Sequence, residues 1–138
     1  MNAAPSGYSG TPLPQKLGIK PDHVVLLDRQ PAGLDLEDLP ARSVVRRLPH
    51  AGRQVDVTLT WHTSLASLEK RLAVLFERTT TAGMVWVCWP KRASKMPTDL
   101  DENKVRDLGL ELGFVDVKVA AIDGTWSGLK FVRRLRDR

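Results

Sequence analysis

The chain has 138 residues, 42% of them hydrophobic, which is enough for one domain with a buried core. Its single cysteine, Cys88, excludes an internal disulfide, and apolar runs no longer than a strand exclude a membrane-spanning helix. A formal net charge of +5 suggests a nucleic-acid partner, but five basic residues from Lys130 onward (Lys130, Arg133, Arg134, Arg136, Arg138) face only Asp137, so nearly all the excess lies at the C-terminus.

Residues 1–10 mix Ala, Pro, Ser and Gly without the basic and apolar stretches of an export signal, and read as a flexible N-terminus on a cytoplasmic chain. Thr11 is placed to cap a short helix, with Pro12 at its first position, Leu13 and Leu17 on one face and Gly18 as its stop. The apolar run VVLLD after His23 predicts a strand covered on both faces. Leu34, Leu36 and Leu39 recur before Pro40, which predicts a brief helix followed by a strand around 43–48. In QVDVTLTW, Val55, Val57 and Leu59 alternate with Asp56, Thr58 and Thr60, the pattern of another strand.

Thr63 or Ser64 then caps the clearest helix, whose Leu65, Leu68, Leu72, Leu75 and Phe76 share one face. Gly83 introduces MVWVCW, a second doubly covered strand that Pro90 ends, and Cys88 within it is expected to be a buried core thiol. Thr98 forms a near capping box with Asp101 ahead of the stripe Val105, Leu108 and Leu112, and Gly113 stops that helix. Asp123-Gly124 between FVDVKVAAID and TWSGLKFVRRL signals a hairpin. Strands alternating with helices predict an α/β domain over 11–135 with 136–138 as a basic tail. Its architecture is an abbreviated Rossmann-like, mostly parallel sheet with helices on both faces and a C-terminal antiparallel hairpin.

The final helix, strand and reversed strand after parallel units resemble the second half of the class I S-adenosylmethionine-dependent methyltransferase fold, over residues 21–135. At a finer level GYSGTPLPQKLGIK, WPKRASK and VDVKVAAIDGTWSGLKFVRR closely resemble a family of small bacterial proteins of unknown function, across nearly the whole chain. This second resemblance supplies no catalytic residues. The first implies an acidic residue and a glycine-rich ligand turn after the first strand, where this chain has Asp28 followed by RQPAG. Arg29, Gln30 and Pro31 stand where glycines would admit a ligand to the backbone, and Gly33 is the one glycine of the turn. The ribose-holding carboxylate of the second strand is missing near SVVRRL, and TWHTS lacks the Asn/Asp-Pro-Pro-aromatic stretch that DNA- or protein-methylating enzymes of this fold often have. The expectation is a lost site with no cofactor. The alternative retains S-adenosylmethionine through an altered turn at Asp28 and Gly33, with His62 as a base.

Open α/β sheets bind ligands beyond the C-terminal ends of their strands, where Asp28 with Arg29, WHTS at 61–64 and WPKRASK at 89–95 are expected to meet. Trp89 followed by Lys91, Arg92 and Lys95 suits an anionic ligand through stacking and charge, with a helix start nearby; the competing structural reading pairs those cations with Asp99, Asp101 and Glu102. Trp126 with Phe131 offers a partner contact, or else Trp126 caps the sheet edge while Gly128 permits close packing. His23 and His50 stand in unrelated segments, and no spacing of Cys, His or carboxylates makes a metal set. Nucleotide-loop and nucleophile-elbow motifs are absent as well.

The sequence thus reads as a non-catalytic binding or regulatory module that contacts a protein or a small anionic ligand through Trp89, Lys91, Lys95 and Trp126. The alternatives are a divergent S-adenosylmethionine-dependent methyltransferase-like enzyme and a nucleic-acid accessory that uses the basic tail and the 91–95 loop. No membrane partner is expected.

Overall fold

The apolar runs build the centre of one sheet. In the computed structural model, which describes residues 11–47 and 54–138, β1 (Val24–Asp28), β3 (Val55–Trp61) and β4 (Thr79–Pro90) lie side by side and parallel. β2 (Val44–Arg46) pairs parallel with the outer side of β1, while β6 (Trp126–Arg133) runs antiparallel to β4 and carries β5 (Phe114–Ala121) on its far side. The strand order is β2-β1-β3-β4-β6-β5, the mostly parallel sheet with a terminal hairpin that the alternation of elements predicts. Residues 1–10, His50 and the Leu48 end of the expected second strand lie outside the described residues.

Strand pleating sends alternate side chains to opposite faces, and each face is covered. On one side α1 (Leu13–Leu17) and the loop leucines 34, 36 and 39 pack over Val25, Leu27, Val57, Leu59, Trp86 and Cys88. On the other, α2 (Leu65–Arg78) and α3 (Glu102–Glu111) bury Leu68, Leu72, Phe76 and Val105 against Val85, Val87, Leu129 and Phe131. Phe76 stacks on Phe114 with ring centroids 3.8 Å apart. Cys88 is fully buried, and burial pushes its thiol well above the usual range, so it is the inert core group expected.

Several local expectations are corrected. Thr11 does not cap α1; Pro12 occupies the N-cap without a side-chain bond, and Gly18 at φ 86° provides the left-handed stop. Residues 29–43 form turns instead of a brief helix, because Pro31 and Pro40 withhold backbone donors and Asp38 and Arg42 take positive φ. Their leucines still reach the core. Thr58 and Thr60, the polar positions of β3, are fully buried. β4 begins at Thr79, well before Gly83, since a shift in its register with β3 between Val55 and Val57 absorbs the extra residues. Asp101, not Thr98, caps α3, and the Thr98 hydroxyl donates to the Thr63 carbonyl at 2.6 Å.

The basic C-terminus is partly structural. Arg133 donates to the Phe76 and Thr79 carbonyls at the end of α2, and Arg134 to the Leu110 carbonyl at the end of α3. The Phe76 and Leu110 carbonyls also accept the Thr79 and Gly113 backbone N–H groups, so the guanidinium groups add second donors at helix C-termini, where a cation also suits the dipole.

Gly109 brings α3 down onto β6: an added methyl at this position would overlap the fully buried Phe131 ring. Gly109→Ala is therefore expected to destabilise the domain by roughly 1–3 kcal/mol despite alanine's better helix propensity. A lower urea midpoint with an unchanged slope is the expected signature.

Candidate functional site

The chain leaves β1 towards β2 on one side and returns from β2 to β3 on the other, so the strand order reverses between β1 and β3. A crevice opens at the C-terminal ends of strands at such a point. Here it is a cleft of about 340 Å³ lined by Leu27, Asp28, Arg29, Gln30, Arg47 and Arg71. The first four are the end of β1 and the start of its turn, and Arg71 comes from α2.

Asp28 is the hub of a buried polar chain. Its carboxylate, with the residue only 3% exposed, accepts the Thr60 hydroxyl at 2.8 Å and pairs with the Arg71 guanidinium at 3.2 Å. Thr60 in turn lies 2.6 Å from His62 Nε2, and His62 Nδ1 lies 2.7 Å from the Ser67 hydroxyl. Because Thr60 gives its own proton to Asp28, it accepts from Nε2–H, so the neutral imidazole takes the Ser67 proton at Nδ1. Burial, followed by the Arg29 and Arg71 charges, lowers the His62 pKa from 6.5 to about 4. With both ring nitrogens engaged and 1% exposure, His62 orients Thr60 and Asp28 and is not placed to take a substrate proton.

The turn after β1 keeps its crevice in spite of its sequence. Arg29 has φ 61°, a left-handed conformation that glycine adopts most easily, and its Nε donates to the Trp61 carbonyl at 3.3 Å. Gln30 donates to the Leu34 carbonyl and accepts from Arg47 at 2.7 Å. The side chains expected to fill the ligand space thus lie along its walls. Gly33, at φ 79°, has no heavy atom near the place of a side chain, so it serves the turn and not a close contact. At the end of β3, the Trp61 indole N–H is buried without a hydrogen-bond partner among the described residues.

A second cleft, of about 840 Å³, opens beyond β4 and is lined among others by Trp89, Lys91, Lys95, Asp99 and Glu102. The expected pairing of its acids with its cations is not what the side chains do. Asp99 accepts from Leu65 N at the start of α2, Asp101 from Lys104 N at the start of α3, and Glu102 pairs with Arg106. Trp89 is only 6% exposed and packs on the α2 and α3 face. Trp126, 7% exposed, belongs to the opposite face and does not line this cleft.

Of the sequence-derived positions, Asp28 and His62 meet in one network, Lys91 and Lys95 share the second cleft, and Trp126 is a core residue. Arg47, Arg71, Thr60 and Ser67 went unrecognised. Arg71 carried a readable signal, a charge three residues after Leu68 on the buried face of α2. Among the described residues no group of three or more His, Cys, Asp or Glu side chains could hold a metal, and no helix is long and apolar enough to cross a membrane.

No protein-family model matches the chain, and no curated protein matches it by sequence. Solved structures do match by shape. A DhpI–SAH complex aligns over 91% of this chain and 83% of that one, with TM-score 0.63 at 12% identity. A SAM-dependent methyltransferase from Aquifex aeolicus aligns over 85% of both chains, with TM-score 0.59 at 13% identity. The fibrillarin pre-rRNA processing protein of Methanococcus jannaschii aligns over 89% of this chain and 69% of its own, with TM-score 0.57 at 13% identity. The likeness is one of fold: this chain carries the Rossmann-like α/β fold of the class I S-adenosylmethionine-dependent methyltransferases.

Proposed function

We propose that the chain binds an S-adenosyl compound in the crevice between β1 and β3, as a divergent member of the methyltransferase-like proteins. The observation that carries this reading is the open crevice at the switch point of the sheet, present where the sequence alone suggests a filled one. Its size lies within the range of small-molecule sites. Arg29 and Arg47 suit the compound's carboxylate, Gln30 offers an amide to its polar groups, and Leu27 supplies apolar wall. Asp28 is already held by Arg71 and Thr60, so its role is to fix the floor. The Trp61 indole N–H at the neighbouring strand end, buried without a hydrogen-bond partner among the described residues, is the kind of group that a ligand completes. When bound, S-adenosylmethionine supplies an electrophilic methyl group; the chain's own residues hold and orient it.

Thermal-shift titration is the test. A ligand at about 100 times its dissociation constant stabilises the native state by roughly 2.7 kcal/mol, a readable shift for this size of domain. A saturable shift is expected with S-adenosylmethionine and with S-adenosylhomocysteine, and Arg29→Ala is expected to weaken it roughly tenfold to a hundredfold. The lining sets three guanidinium groups against one carboxylate. The homocysteine form, which lacks the sulfonium charge, is therefore expected to bind more tightly, by roughly two- to thirtyfold for a unit charge at about 8 Å.

The same three arginines favour a second reading, a small anionic ligand in place of the S-adenosyl compound. A shift with AMP and none with either S-adenosyl compound would select it and overturn the first.

A further inference from the structure

The charge that composition places at the C-terminus is matched by a second concentration that no run of sequence shows. On β5 and β6, Lys118 stands directly opposite Lys130. Like charges in that relation are unfavourable. The Lys130 ammonium reaches the end of α1, lying 3.8 Å from where a side chain on Gly18 would begin. Lys20 follows two residues later, and Lys16 of α1 crosses to donate to the Ala121 carbonyl at the end of β5 at 2.8 Å. Lys91, whose backbone N–H binds the Thr125 carbonyl of the hairpin, continues the line.

These five lysines feel one another. Burial first, then Lys118 and Lys91, lowers the Lys16 pKa; burial first, then Lys118 and Lys20, lowers that of Lys130. Acidic neighbours are engaged elsewhere: Asp22 with Arg42, Asp116 with Arg106, and Asp123 with the backbone N–H groups of Thr125 and Trp126. Lys20, Lys118 and Lys130 form no ion pair with a described carboxylate, and the undescribed residues 1–10 and 48–53 contain no Asp or Glu.

We infer that this lysine stripe across the α1 side of β5 and β6 is a binding surface for the phosphodiester backbone of a nucleic acid. Two features favour phosphate over an acidic protein. A protein interface takes most of its affinity from buried aromatic or apolar anchors, and the large apolar groups on this side, Trp86 and Trp126, are already buried in the core. The exposed Val119 pairs with Leu129, which belongs to the opposite face. What the stripe offers is a row of ammonium charges, and a phosphate backbone requires no more. The inference does not depend on the S-adenosyl reading, because the stripe contains none of the crevice residues.

Fluorescence anisotropy with a labelled 20-nucleotide RNA and a 20-base-pair DNA, each of mixed sequence, tests it between about 50 and 200 mM salt. Binding is expected to weaken steeply with salt. Lys118→Gln with Lys130→Gln is expected to reduce the slope of log affinity against log salt by about 1.4 to 1.8, because each phosphate that a lysine neutralises adds about 0.7 to 0.9 to it. That double variant removes a like-charge pair, so its thermal unfolding should match or exceed that of the parent, which separates a defect in binding from a defect in folding. Arg136→Gln with Arg138→Gln is expected to leave most of the binding. Three outcomes would overturn the inference: no binding at the lowest salt, an unchanged slope in the lysine variant, or equal affinity for polyglutamate of the same charge.

Discussion

Trp86→Ala is expected to cost about 3–5 kcal/mol, the range for deleting a fully buried aromatic side chain. Trp86 is the largest side chain with no exposure, and on β4 it stands in register between Leu59 of β3 and Lys130 of β6. Its indole N–H donates to the Leu17 carbonyl at 2.9 Å. The last turn of α1 otherwise closes through Gly18 N to Gln15 and Ile19 N to Pro14, so the indole takes an acceptor that the helix leaves open. Alanine would open a cavity beneath α1 and orphan that carbonyl together. Trp86→Phe separates the two effects, keeping most of the volume while losing the donor, and is expected to cost about 1–3 kcal/mol. Against a typical total of about 5–15 kcal/mol, the alanine change removes a large share of stability. Urea midpoints for the two variants test this, and a cost below about 1 kcal/mol for alanine would mean that α1 is not docked through this residue.

The parts of the fold that were legible share one property: their neighbours in sequence determine them. The apolar run of β1, the 3.6-residue stripe of α2 and the Asp123-Gly124 turn each satisfy a local rule, and each is where it was read. Residues 29–43 misled because three leucines at helix-like spacing serve equally well as separate anchors dropped from a loop. The alternation in β3 marks a strand but does not say what its polar positions meet: Thr60 finds its partners in Asp28 and His62. The crevice shows the same division. Asp28 was marked by its place at the end of a strand, but the Arg71 that engages it is 43 residues away and the Ser67 beside His62 lies on another element. The walls of the crevice depend on where Arg29 and Gln30 fold back, which the types of residue in the turn do not decide.

His62 gives the fold a pH dependence that can be isolated. Its pKa in the native state is about 4, against 6.5 for an unhindered histidine, because burial and then the Arg29 and Arg71 charges oppose a proton there. Between those values the unfolded chain binds a proton that the native chain refuses, so acid favours unfolding. This contribution is fully present above about pH 6.5, falls as the pH drops towards 4, and is gone below that, amounting to at most about 3 kcal/mol. His62→Gln removes the titrating group and keeps an amide donor near Thr60. The variant is expected to be less stable near pH 7, where the Thr60 and Ser67 hydrogen bonds lose their geometry, but to lose less further stability on acidification. Urea midpoints at about pH 7 and about pH 4.5 for both proteins give a difference of differences in which the carboxylates common to both chains largely cancel. A shared pH slope would show that the imidazole charges freely in the native state. The chain from Arg71 to Ser67 would then have to tolerate a cation at its centre, against the tautomer that the Thr60 and Ser67 hydroxyls require.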